Sequence, residues 1–165
     1  MKRLRLFLLV ALTLSLLFVG CSREARSAEE LLCGICASLS MPAGQIYLSG
    51  AEEGSENFLS SETAQAIYGA EAETVLDLVE DFAIYLSAAG APREAAVFRC
   101  YSSSDTDTVA ALFLERVDAI KVLLKDSGAA ELAAGAEVTV RGRYVVMVVC
   151  DDAEATKDAV TAGFQ

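Results

Sequence analysis

Cys33-Gly34-Ile35-Cys36 sets two thiols three residues apart, the spacing of a redox-active pair. Such a pair needs a strand before it and a helix opening at its first cysteine. Here it falls inside a helical pattern, so the expectation is buried, packed thiols or a local disulfide, with thiol redox chemistry at Cys33 and Cys36 as the alternative. A metal site drawing on Cys33, Cys36, Cys100 and Cys150 would need a second close-spaced pair, which is missing. The chain has no histidine, which removes every Ser-His, Cys-His and His-metal arrangement. Carboxylates cluster at Glu52-Glu53, at Asp105-Thr106-Asp107 and at Asp151-Asp152. Pairs of this kind can hydrolyse glycosides or hold Ca²⁺, but helix capping accounts for the last two clusters and solvation for the first. There is no EF-hand loop, no glycine-rich phosphate loop and no Gly-x-Ser-x-Gly elbow. No metal, cofactor or catalytic residue is implied. The remaining charge of interest is Arg116, on an otherwise apolar helix face. Its stem is expected to pack while its head reaches a carboxylate or a strand-end carbonyl, and contact with a ligand anion is the functional reading.

The elements that must position these residues follow from periodicity and capping. Ser27-Ala28-Glu29-Glu30 reads as a capping box opening a helix to about residue 39, with Leu32, Ile35, Cys36 and Leu39 as its buried stripe. A short strand is expected at 46–49, an acidic loop at 52–57, and a short helix from Ser60 or Ser61 to Tyr68, stopped by Gly69. Residues 71–80 are ambiguous. Phe82, Ile84, Leu86 and Ala88 alternate as a strand, and a turn at Gly90-Ala91-Pro92-Arg93 leads to a second strand at 95–101. Asp105 is a suitable N-cap for the longest helix, whose face is Val109, Leu112, Phe113, Arg116, Val117, Ile120 and Leu124. After Ser127-Gly128, strands at 137–140 and 143–150 pair around Arg141-Gly142, and the Asp151-Asp152 cap starts a last helix. The order strand, turn, strand, cap and helix thus occurs at 82–126 and again at 136–163. If the two units are related and their second strands run parallel as neighbours, Cys100 and Cys150 share a sheet edge, where they could bond or lie as free thiols, and two reduced, mostly buried thiols are the expectation. The fold class is α+β, with a mainly antiparallel sheet of four or five strands and helices on one face.

The start of the chain, MKRLRLFLLVALTLSLLFVGC, carries Lys2, Arg3 and Arg5, then an apolar run over 6–19, then Gly20 before Cys21. That is the layout of an export signal. The run is roughly 20 Å long as a helix against about 30 Å of bilayer hydrocarbon, so a permanent span is the poorer reading. Leu17-Phe18-Val19-Gly20-Cys21 resembles a bacterial lipobox, which implies lipidation of Cys21. The expected division is a signal peptide at 1–20, a lipidated cysteine with a short tether at 21–29, and a single α+β domain at 30–165. After residue 20 there remain ten basic residues against all 24 acidic ones, a net charge of −14. Such a surface repels nucleic acid, and attachment to the membrane must come from acyl chains.

Ile67-Tyr68-Gly69, the strand Glu94-Ala95-Ala96-Val97-Phe98, Arg116 in the following helix and Gly142-Arg143-Tyr144-Val145-Val146 resemble, in that order, a family of lipoproteins of Gram-positive anaerobes. The likeness covers nearly all of the chain after the signal, and the family is catalogued as domain of unknown function 4358. It implies export and anchoring and supplies no activity, cofactor or catalytic residue. Two function classes follow. The first is a non-enzymatic binding or assembly module, lipid-anchored at the extracytoplasmic face of the cell membrane, with a protein partner in the cell envelope. The second is a membrane-tethered thiol enzyme using Cys33 and Cys36. The first requires that no deep pocket be lined by two or more of Asp77, Asp81, Asp105, Asp107, Asp151 and Asp152, and that Cys33 and Cys36 lie in a helix-sheet interface.

Overall fold

The computed structural model describes residues 26–88 and 93–165. The signal segment, Cys21 and Gly90-Ala91-Pro92 of the expected turn lie outside the described residues. Helix α1 spans Ala28–Ser38, strand β1 Gly44–Leu48, α2 Ser61–Tyr68, α3 Ala72–Leu76, β2 Val79–Ser87 and β3 Glu94–Cys100. The long helix α4 spans Thr106–Ser127, and a 3-10 turn follows at Ala130–Ala133. Strands β4, Glu137–Arg141, and β5, Tyr144–Val149, precede α5, Ala153–Gly163. The class is α+β, built on one five-stranded sheet with every neighbouring pair antiparallel.

Capping sets three of the helix starts. Ser27 accepts from the Glu30 N–H while the Glu30 carboxylate takes the Ser27 N–H, so two end groups of α1 are satisfied together. Ser60 caps α2 through the Thr63 N–H, and Asp152 caps α5 through the N–H groups of Glu154 and Ala155. Asp105 holds the cap position of α4 without a side-chain cap bond; its carboxylate accepts from the Ser104 hydroxyl instead. Gly128 ends α4 in the left-handed conformation, φ 76°, which costs a glycine little. The ambiguous residues 71–80 resolve into the single turn of α3 and the start of β2. Helix α1 begins at Ala28 and Arg26 is already bonded to the domain, so the folded part starts a few residues ahead of residue 30.

The strand order is β1-β2-β3-β5-β4. Both β3 and β5 are apolar on both faces, which requires cover on each side. On one face Ile84, Ala96, Phe98, Val145, Met147 and Val149 meet α2, α3, α4 and the 3-10 turn. On the other, Ala83, Tyr85, Ala95, Val97, Val146 and Val148 meet α1 and α5. The helices therefore cover both faces, not one as the pattern predicts. The reason lies in β3 and β5, whose odd and even positions are equally apolar and so demand two cores.

The hairpin-then-helix order occurs twice, yet α4 and α5 lie on opposite faces, so no two-fold through the sheet relates the units. β3 and β5 are neighbours but antiparallel, pairing Glu94 with Val149 and Arg99 with Tyr144. That register sets Cys150 level with Arg93, about seven residues or 23 Å along the strand from Cys100. The two cysteines also belong to different cores. A bond between them is geometrically excluded. Both are buried free thiols.

Candidate functional site

Of the two contacts expected for Arg116, a carboxylate or a strand-end carbonyl, the structure supplies the carboxylate, that of Glu94. Arg116 Nε donates to Oε1 and Oε2 of Glu94 at 3.2 and 3.1 Å, and Nη2 donates to Oε2 at 2.8 Å. The Glu94 side chain is 5% exposed and that of Arg116 25%. Nη1 has no hydrogen-bond partner among the described residues. Burial pushes the Glu94 carboxyl up, and Arg116 opposes that by hydrogen bonding and charge. Tyr68, from α2, stands close enough to feel both groups. Its hydroxyl is pushed well up by burial first, then by Glu94, with Arg116 opposing, and it is buried without a partner among the described residues. The Tyr68 ring packs on Phe98 and Phe113, whose own centroids are 4.7 Å apart. An aromatic cluster thus forms the floor that holds the ion pair at the sheet end.

Above the pair is an open groove of about 430 Å³ between α4 and the adjoining ends of β2 and β3. Leu86, Ile120 and Leu123 supply apolar walls, while Arg93, Glu94 and Arg116 supply charge. Arg93 is fixed by Asp151 at 2.8 Å. The arrangement can hold a ligand carrying an apolar group beside a polar or anionic one. Sequence reasoning singles out Arg116 but assigns no role to Glu94, Arg93 or Tyr68. The available signal is one glutamate opening an otherwise apolar strand, since a carboxylate buried there requires a cation.

The cysteine pair is less buried than expected. Cys33 is exposed and Cys36 half-buried, so only Cys36 reaches the helix-sheet interface. The inward stripe of α1 is Ala28, Leu31, Leu32 and Ile35, which turns Cys33 outward. Both thiols are free. Burial, and secondarily Cys33, pushes the Cys36 thiol up to about 12, the opposite of what a nucleophilic thiolate needs.

Carboxylates do meet in one hollow, which departs from the expectation for a binding module. Asp151 and Asp152 line an open depression of about 270 Å³ with Arg93 and Ser40. Both are exposed, and each has a structural partner: Arg93 for Asp151 and the α5 N–H groups for Asp152. A larger hollow, about 600 Å³, contains Asp81 together with Glu29 and Glu56. Asp81 accepts there from the Ala28 N–H and the Ser49 hydroxyl at 2.8 Å each. Among the described residues, no group of three or more Cys, Asp or Glu side chains is placed to hold a metal ion, and no helix is long and apolar enough to cross a membrane. Comparisons with protein-family models, curated proteins and solved structures return no match to this chain.

Proposed function

We propose that this protein is a lipid-anchored extracytoplasmic binding module without catalysis of its own, whose binding face is the groove at Arg116. The observation that carries the reading is the position of that groove relative to the chain's entry. Arg26 is bonded at the sheet end that holds Arg99 and Tyr144, whereas the groove is at the end that holds Glu94. Those ends of β3 are about 17 Å apart. A domain tethered through Cys21 would therefore present Arg93, Arg116 and Leu123 away from the lipid. The resemblance of residues 17–21 to a lipobox and of the later motifs to a lipoprotein family supports the anchoring half. Two acyl chains suffice for stable attachment at about 0.8 kcal/mol per buried methylene. The thiol-enzyme alternative is disfavoured by the placement of Cys33 and Cys36 inside α1, which opens at Ala28 and not at the first cysteine, with no strand leading into the pair among the described residues.

Metabolic labelling with a fatty-acid analogue tests the anchor: label and membrane sedimentation are expected in the wild type and lost in Cys21→Ala. Equal label in both would sink it. The binding half is tested by photo-crosslinking at Leu123 in native membranes, where a discrete adduct weakened by Arg116→Gln is expected. Turnover of a dithiol substrate abolished by Cys36→Ser would favour the enzyme instead.

A further inference from the structure

We infer that β4, the uncovered edge of the sheet, pairs antiparallel with β4 of a second copy of this chain about a two-fold axis at Thr139, joining two five-stranded sheets into one. The inference goes beyond the reading above and does not rest on it. The two edges of the sheet are treated differently. At β1 the chain covers itself: the Leu48 N–H donates to the Asn57 carbonyl at 3.0 Å, and the Gln45 side chain donates to the carbonyls of Ile46 and Glu56. At β4 nothing does so among the described residues. Arg141 and Tyr144 close a two-residue turn, which aims the backbone groups of Arg141, Thr139 and Glu137 at β5 and those of Val138 and Val140 outward. Neither valine has a partner for its outward N–H and carbonyl among the described residues. The strand has no proline and no bulge to blunt it.

The occupant follows from the side chains. Glu137, Thr139 and Arg141 share the α5 face of β4: Arg141 donates to Thr161 of α5 at 3.4 Å, and the Thr139 hydroxyl donates to Glu137 at 2.6 Å. Glu137 and Arg141 carry opposite charges and have no ion-pair partner among the described residues. They are about 14 Å apart along the strand, too far to pair with each other. An antiparallel copy centred on Thr139 sets Glu137 against Arg141 of the copy at both ends. It also sets Val138 against Val140, which is 44% exposed, and closes paired hydrogen bonds between their outward backbone groups. A centre one residue away, at Val138 or Val140, places Glu137 or Arg141 opposite Thr139 instead, so the charges select one register. Helix α4 packs above β4 and β5, and the axis brings it beside its own copy. Leu114, 54% exposed, stands on the flank of α4 opposite Leu123 of the groove and supplies an apolar contact there. The adjoining rows of the helices carry both signs of charge, Asp107, Asp118, Lys121 and Lys125 on α4 and Glu154 and Lys157 on α5, so neither flank is single-signed. A two-fold perpendicular to the sheet keeps the α1–α5 layers of both copies on one side. Arg26, bonded to Gly163 at the end of α5, is on that side in each, so both chains enter from one side and both grooves, beside α4, open on the other.

The full-length chain carrying Cys33→Ser, which removes the exposed thiol, is purified in mild detergent. In that background Thr139→Cys is expected to give a covalent dimer on oxidation with diamide, because the paired Cα atoms would be about 4.5 Å apart, within disulfide reach. Glu53→Cys, in the loop that covers the β1 edge, is expected to give none. Self-association of the reduced chain is then followed by sedimentation. Glu137→Arg and Arg141→Glu are each expected to weaken it by at least about tenfold, and the two together to restore it to within about threefold. A chain that stays monomeric, crosslinking at Glu53→Cys equal to that at Thr139→Cys, self-association indifferent to the single reversals, or a double reversal as weak as the single ones would overturn the pairing.

Discussion

Glu94 is a carboxylate among apolar side chains, and Arg116 is what makes its burial tolerable. Removing the guanidinium leaves a buried charge without a partner, a loss of about 3–5 kcal/mol for fully buried pairs. Because Arg116 is a quarter exposed, Arg116→Ala is expected below that range, at about 2–3 kcal/mol, read from urea unfolding. The carboxyl also predicts a pH dependence. Burial raises its folded-state pKa, so the folded chain keeps a proton that the unfolded chain releases from about pH 4.3 upward. Its contribution to stability is full below that value and is lost as pH rises through the raised one. Wild-type stability minus that of Glu94→Gln should accordingly fall on going from about pH 4 to neutrality, and a rising difference would reverse the assignment. On the opposite face of the sheet, the Cys36 thiol is pushed up to about 12 where a cysteine ordinarily titrates near 9.0. Its thiolate fraction at neutral pH is about a thousandfold lower than usual, so alkylation should label Cys33 first and Cys36 slowly, as peptide mapping would show.

Helix α5 owes its position to one backbone approach. Gly135, just past the 3-10 turn, donates its N–H to the Cys150 carbonyl at 2.8 Å, and a methyl group on it would meet the Ala153 nitrogen at 2.6 Å. No flexible side chain is there to yield, so the backbone at the α5 N-terminus would have to move. Gly135→Ala should cost about 1–3 kcal/mol, measured as a lowered midpoint in urea. The same junction places the Cys150 thiol 2.8 Å from the Thr156 hydroxyl, so reactivity of Cys150 to a maleimide should rise in that variant. Helix α1 shows the converse case, in which local chemistry suffices. Its capping box and inward stripe are written in consecutive residues, and its start is legible from them.

Across the whole molecule, β3 and β5 serve two cores at once, with Val97, Val146 and Val148 on one side and Phe98, Val145 and Met147 on the other. Neither core can open without disturbing the shared strands. Unfolding is therefore expected as one cooperative transition, with far-UV and near-UV dichroism coincident in urea. Two separated transitions would show that the α1–α5 layer comes away by itself.

The amino-acid pattern alone determined the α+β class, a mainly antiparallel sheet of four or five strands and the capped starts of α1, α2 and α5, because each rests on neighbours within a few residues. The layer arrangement was not legible. An apolar run such as Tyr144–Val149 states that both faces are covered but not which helix covers which, since that depends on how the chain crosses over the sheet. The direction of β5 beside β3 was equally hidden: a parallel or an antiparallel neighbour buries the same valines, yet only the antiparallel one sends Cys100 and Cys150 to opposite ends. Tertiary structure also brought Glu94 to Arg116 across 22 residues of sequence and set their groove at the far end of the sheet from Arg26. Such long-range pairings depend on the summed packing of two cores, which no local spacing encodes.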